Sequence, residues 1–318
     1  MDTTIKKADV VVIGELNVDI ILNKIESFPS IGKEIIAENM TVTLGSSSAI
    51  FASNLSSLGE SVAFIGKVGR DTFAELVINS LNGKHVDTGP IIHTEDFKTG
   101  ATIVLNYDQD RAMVTYPGAM NDLRPEDIDM SILARSRHLH YSSYFLQPGM
   151  RAGLSELFRK AKALGISTSF DPQWDPAEEW RMDLDKLLPN VDVFLPNRKE
   201  LQCLTGRPDV DSAIKRIKPY AHIVVVKDGT EGAMMWTGSE FIHQPAFINS
   251  NVVDCIGAGD SFNAGFIFKF VDGASLKECL KFGALTGAIS TTEAGGTLAF
   301  ENAERISFLA REKFNYKL

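Results

Sequence analysis

The sequence predicts an α/β fold: a central, mostly parallel sheet with helices on both faces, plus a small β-sheet lid standing off it. Two patterns carry that expectation. Short runs rich in β-branched residues alternate with amphipathic stretches of helical period over most of the chain. Fully apolar strands in such alternation belong to a parallel sheet buried on both sides. Two segments, 19–44 and 98–117, break the alternation and read as extended structure with no helix between.

Strands are expected at 10–13, 62–65, 138–141, 167–170, 191–195 and 223–226, and helices at 50–58, 73–82, 151–164, 198–204, 211–219 and 261–270. In the second irregular segment, Thr102 to Val104 and Met113 to Tyr116 flank Asp108-Gln109-Asp110, the composition of a hairpin turn. The two irregular segments are alike in character. They are therefore expected to pair as one small sheet, with separate edge hairpins as the alternative. The resulting division is 1–14, 45–97 and 118–318 for the α/β domain, and 15–44 with 98–117 for the lid. Ligands of open parallel sheets sit at the carboxyl ends of strands. Polar residues do follow those ends: Gly14 to Asp19, Asp171, Asn197 to Glu200, and Lys227 to Gly232.

The 318 residues, 44% apolar and 23% charged, are those of a globular chain that can bury a substantial core. A net charge of −9 leaves no basic footprint for nucleic acid or an anionic membrane surface. The apolar run at 10–13 is far below the roughly 20 residues that span a bilayer, so a cytoplasmic protein is expected. Cys203, Cys255 and Cys279 have no metal spacing and read as small buried hydrophobes in a reducing compartment. His138 and His140 alternate in an apolar run, the pattern of a strand face.

The most informative stretch is Asp254-Cys255-Ile256-Gly257-Ala258-Gly259-Asp260, where a loop runs into an apolar helix expected to begin near Ser261. Small residues at a helix mouth leave backbone N–H groups uncovered, and with the helix dipole they seat an anion, most often a phosphate. A fixed Asp beside such a seat repels a resting anion, but it can take a proton from a hydroxyl that attacks the phosphate. That points to phosphoryl transfer to an alcohol, with Asp260 as base. A tight turn followed by an Asp cap is the plain alternative. No G-x-x-x-x-G-K-[ST] is present, and Phe262 stands where a dinucleotide fingerprint needs its third glycine.

Five motifs in order give the chain its likeness to a known family. They are Gly14-Glu15-Leu16-Asn17-Val18-Asp19, Gly45 to Gly59 with Phe64 to Phe73, Leu195-Pro196-Asn197-Arg198-Lys199-Glu200, Val226-Lys227-Asp228-Gly229-Thr230-Glu231-Gly232, and the Gly-Ala-Gly-Asp segment. Over essentially its whole length the chain resembles the ribokinase-like, or PfkB, family of carbohydrate kinases. The resemblance implies transfer of the ATP γ-phosphoryl to a sugar or nucleoside hydroxyl, with Asp260 as general base. Gly257, Ala258 and Gly259 would form the anion hole, and ATP would lie around Lys227, Gly229, Thr230 and Gly232.

Asn197 and Glu200 stand at i, i+3 spacing and could hold Mg²⁺ through water, or cap a helix together. Family members with a monovalent-cation site imply K⁺ near Asp254 and Ile256, with carbonyls at Thr292 and Gly295. Asn17 and Asp19 would meet sugar hydroxyls, with Gly45 allowing the substrate to approach the backbone. The sequence departs from the family at Ser46 and Ile50, where a second glycine and an Asn are usual. It departs again at Asp175, where sugar-acid and fructose kinases often carry Arg. The departures imply a neutral acceptor against an apolar wall of Ile50, to which Phe51 could add. A hexose or ketose is the first expectation, a nucleoside the second, and a sugar-binding regulator without turnover the third. Strand edges in the lid also imply a homodimer clasped there.

Overall fold

The computed structural model describes residues 8–107 and 110–318. Its main sheet has eight strands in the order Phe241–Gln244, Ala233–Trp236, Ile223–Lys227, Val193–Phe194, Ser167–Asp171, His138–Ser142, Val10–Ile13 and Val62–Ile65. The last six run parallel. Alternate residues of Val10–Ile13 enter opposite cores: Val11 and Ile13 in one, Val10 and Val12 in the other. That two-sided burial is why these strands are apolar throughout. The sheet extends past the last expected strand by an antiparallel hairpin, Ala233–Trp236 with Phe241–Gln244.

Three expected helices differ in extent, the first of them, expected at 50–58, running Ser47–Ser57. The one expected at 151–164 is broken into Pro148–Arg151 and Leu154–Ala163. Gly153 lies at the break, where an added Cβ would come within 2.5 Å of Pro125. The helix after the glycine seat runs Ala258–Val271 and so begins before Ser261, which puts Asp260 inside its first turn.

The two irregular segments do pair. Asn39–Leu44, Asn17–Asn23, Gly100–Tyr107 and Asp110–Tyr116 form a four-stranded sheet in that order. Of the expected hairpin turn, Asp108 and Gln109 lie outside the described residues, as does the segment 1–7. Cross-strand register sorts the side chains. Val42, Ile20, Ile103 and Val114 share one row on the outer face, while Asp19, Thr102 and Thr115 share a row on the opposite face.

His138 and His140 are buried strand residues hydrogen-bonded to Ser167 and Ser169. No group of three or more His, Cys, Asp or Glu side chains that could hold a metal occurs among the described residues. The cysteine expectation is corrected: Cys279 is buried, Cys203 half-buried and Cys255 exposed. Cys255 lies in the loop before the helix mouth, where no core reaches it. No helix among the described residues is long and apolar enough to cross a membrane.

Candidate active site

Two clefts meet at the carboxyl ends of the parallel strands. The larger, about 550 Å³, lies beneath the inner face of the four-stranded sheet. The other, about 300 Å³, is bordered by Phe247, Val252, Ala284 and Ala288. Lys227, Gly229 and Gly259 line both, so the clefts join at the helix mouth.

Gly257 caps the helix Ala258–Val271 with a left-handed φ of 72°, and an added Cβ would stand 2.7 Å from Gly296 Cα. Only glycine meets both conditions without strain. Ala258 N–H donates to the Cys255 carbonyl at 3.3 Å. The amides of Gly257, Gly259 and Asp260 have no such partner among the described residues, so they are the donors left for an anion. Ala258 lines the smaller cleft and Gly257 the larger.

Asp260 follows in the first turn, 7% exposed, and lines the larger cleft. Its Oδ1 accepts Gln173 Nε2 at 2.9 Å. Burial pushes its carboxyl well above the usual range; the Asp171 charge adds to this, while Lys227 and the Gln173 hydrogen bond oppose it. Asp171 is wholly buried at the end of Ser167–Asp171 and accepts Lys227 Nζ at 2.6 Å and Asn263 Nδ2 at 2.5 Å. Burial pulls the Lys227 ammonium down, but Asp171 and Glu200 more than offset this and leave it raised.

On the opposite wall, Asn17 Nδ2 donates to Asp19 Oδ1 and to Thr102 Oγ1, each at 3.0 Å. Burial pushes Asp19 up to about 6 against that hydrogen bond, with Glu15 adding to the shift and Arg111 opposing it. Gly45 does not line the cleft as expected: it backs this pair, and an added Cβ would lie 2.3 Å from Asp19 Oδ1.

Ser46 lines the cleft, but its hydroxyl is committed. Held at φ 70°, it donates to the Glu15 carbonyl at 2.6 Å and accepts Ala49 N–H as the cap of Ser47–Ser57. One turn on, Ile50 lines the cleft and packs against Gly257 and Gly296. Phe51 does not join that wall; it is buried and stacks on His140 at 3.7 Å. Asp175 is also turned away. It is buried, and its two oxygens accept Ala177 and Trp180 N–H, so it staples its own loop and presents no charge to the cleft.

Asn197 and Glu200 form the capping box of Arg198–Thr205: each side chain accepts the other's backbone N–H at 2.8 Å. Both also line the larger cleft. Burial, with Asp171 nearby, pushes Glu200 up to about 7. One acid and one amide oxygen cannot cage a bare ion. They fit a hydrated Mg²⁺ whose other ligands are waters and nucleotide phosphates.

Lys227, Gly229, Thr230 and Gly232 line the smaller cleft. Gly232 is at φ 93°, and an added Cβ would lie 2.1 Å from the Gln244 carbonyl oxygen, so it serves the hairpin behind the cleft. Asp254 braces the entry loop by accepting Ile256 N–H at 2.9 Å and Gly295 N–H at 2.8 Å.

Sequence reasoning missed Glu15, Gln173, Trp174 and Arg111, all of which line the larger cleft. The alternation of Asp110–Tyr116 could have pointed to Arg111, since Arg111, Met113 and Thr115 share one strand face.

The family model described as pfkB family carbohydrate kinase matches residues 7–303. A sugar kinase of Archaeoglobus fulgidus is 32% identical over 235 residues, covering 74% of this chain and 92% of its own length. Fructokinase-2 of Solanum lycopersicum is 30% identical over 278 residues, covering 81% and 84%. Among solved structures, the ribokinase of Thermotoga maritima superposes with a TM-score of 0.82 at 25% identity, covering 96% of this chain and 100% of that one. The adenosine kinase of Sinorhizobium meliloti gives 0.82 at 26%, covering 95% and 99%.

Proposed function

From the premise that the chain belongs to the pfkB family of carbohydrate kinases, which are ATP-dependent phosphotransferases, we propose that it phosphorylates a hydroxyl of a small neutral sugar, a hexose or ketose, with Asp260 as general base. The observation that carries this is the junction of the clefts. Asp260 faces the larger one, while Gly259 and Lys227 border both, so an acceptor hydroxyl and a terminal phosphate brought together there would meet the base. The hydroxyl proton passes to Asp260, the oxygen bonds to the γ-phosphorus, and the bond from phosphorus to the β-bridging oxygen breaks to release ADP. Gly257 and Gly259 N–H donate to the transferring phosphoryl, beside Lys227, which lines both clefts while paired with Asp171. A base whose carboxyl is raised by burial stays protonated to a higher pH, so turnover should fall as pH drops through that raised value.

Acceptor neutrality is supported by the lining. Four acids (Glu15, Asp19, Glu200 and Asp260) face it with two cations, Arg111 and Lys227, and Lys227 is already paired with Asp171. The Asn17 amide protons are held by Asp19 and Thr102, so this pair offers acceptors, Asp19 Oδ2 and Asn17 Oδ1, to the hydroxyls of a polyol. Fructokinase relatives favour a ketose. A nucleoside is the second reading, because Trp174, Leu146, Met113 and Ile50 also line the cleft and an adenosine kinase shares the fold. ADP release with Mg-ATP across a panel of neutral sugars, sugar acids and nucleosides decides between them. Stimulation by a hexose or ketose alone supports the proposal, stimulation by nucleosides alone replaces it, and a uniform background points to a non-catalytic binder.

Three further assignments belong to the same reading. Asn197 and Glu200 would hold hydrated Mg²⁺, whose chemistry is charge neutralisation on the phosphates; activity without any divalent cation would contradict this. The Asp254 bracket with Ile256, Thr292 and Gly295 would border a K⁺ site, and equal rates in K⁺ and in an organic cation would remove it. The outer face of the four-stranded lid sheet exposes Met40, Val42, Ile103, Val114 and Tyr116, an apolar patch suited to a second copy. A monomeric mass at micromolar concentration would contradict that clasp.

A further inference from the structure

Gln173 stands two residues beyond the strand Ser167–Asp171 at φ 59°, a left-handed conformation that side chains other than Asn and Asp rarely adopt. Its Nε2 donates to Asp260 Oδ1 at 2.9 Å and to Asp171 Oδ2 at 3.2 Å, and its backbone N–H donates to Asp171 Oδ1 at 3.2 Å. Asp171 is fixed in turn by Lys227 and by Asn263, which lies one turn along the same helix from Asp260. One amide therefore ties the carboxylate to a buried frame made of two strand ends and a helix. Among the described residues no hydrogen bond reaches Asp260 Oδ2.

Resting on the reading of Asp260 as base, we propose that Gln173 is a positioning residue: its amide clamps Oδ1 and so turns Oδ2 toward the acceptor hydroxyl. Free rotation of the carboxylate would spread that oxygen over non-productive directions. The amide has a second effect. The charged groups acting on Asp260 from neighbouring elements are Asp171, Lys227 and Glu15. Gln173 is the neutral donor among its partners, and a donor to the carboxylate favours the ionised form. Without that donor the acid limb of the rate profile moves to higher pH.

The test uses Gln173→Gly and Gln173→Glu in the full chain, with Asp260→Asn in parallel. Glycine is at ease at φ 59°, which offsets part of the cost of losing the side chain and its hydrogen bonds, so Gln173→Gly should still fold cooperatively with a melting temperature near the parent's. Its kcat should fall about ten- to a hundredfold, the scale of one hydrogen bond to a charged group, with KM for Mg-ATP unchanged and the acid limb displaced upward. Gln173→Glu places a carboxyl against Asp260 and Asp171, and it should be slower than the glycine variant at neutral pH. If Gln173→Gly keeps the parent kcat and acid limb while Asp260→Asn is inactive, the positioning role is wrong and the base stands. Turnover in Asp260→Asn would remove the base itself, and this role with it.

Discussion

Replacing Asp19 by Asn should make the protein more stable and less able to bind its acceptor, and the size of the first effect follows from the site. Burial lifts the Asp19 carboxyl from 3.8 to about 6 in the folded chain. Between those values the folded state holds a proton that the unfolded state has released. The Asp19 contribution to stability is therefore most favourable below about pH 4, declines as pH rises to about 6, and levels off above. At 1.36 kcal/mol per pH unit, a rise of about two units costs about 3 kcal/mol at neutral pH, as an order of magnitude. An Asn side chain has no charge to desolvate and can still accept the Asn17 amide. Urea midpoints of both proteins at pH 4 and pH 8 measure the difference. Asp19→Asn should gain on the parent by about 2–3 kcal/mol between those pH values, while kcat/KM for the acceptor falls at least tenfold. A stability difference that does not change with pH would refute the reasoning, because a desolvated carboxylate must produce that slope.

Two other perturbations test the frame around the base. Gly257→Ala combines a left-handed φ with a 2.7 Å approach to Gly296 Cα, so it should cost about 1–3 kcal/mol and cut kcat. Gly259→Ala meets nothing nearer than Lys227 Nζ at 3.7 Å and should leave the melting temperature unchanged; equal melting points for the two variants would contradict the geometry. Lys227→Met strands a buried carboxylate and should cost about 3–5 kcal/mol. The double variant Lys227→Met/Asp171→Asn should recover part of that loss, and strictly additive denaturation energies would show that the pair is not coupled.

What was legible in the sequence had local causes. Val10–Ile13 and Val62–Ile65 announce themselves because burial on both faces demands continuous apolar residues. The glycine seat is legible because helix mouths constrain neighbours in sequence. The capping box at Asn197 and Glu200 was visible as one of two readings, and the geometry satisfies it while leaving both residues on the cleft. The frame that holds Asp260 was hidden for the opposite reason. Its bonds join Gln173 to Asp260 across 87 positions, Lys227 to Asp171 across 56, and Asn263 to Asp171 across 92. No periodicity encodes such pairings. Asp175 misled because a charge in the sequence carries no direction, and its carboxylate turned out to serve two loop amides.

The central claim is that the buried carboxylate at the helix mouth removes the acceptor's proton. Its most direct measurement is single-turnover phosphoryl transfer by Asp260→Asn, with nucleotide affinity determined on the same protein. The rate should drop by roughly two to four orders of magnitude while the affinity for Mg-ATP stays near that of the parent. A variant that binds nucleotide normally and transfers phosphate at the parent rate would contradict the account.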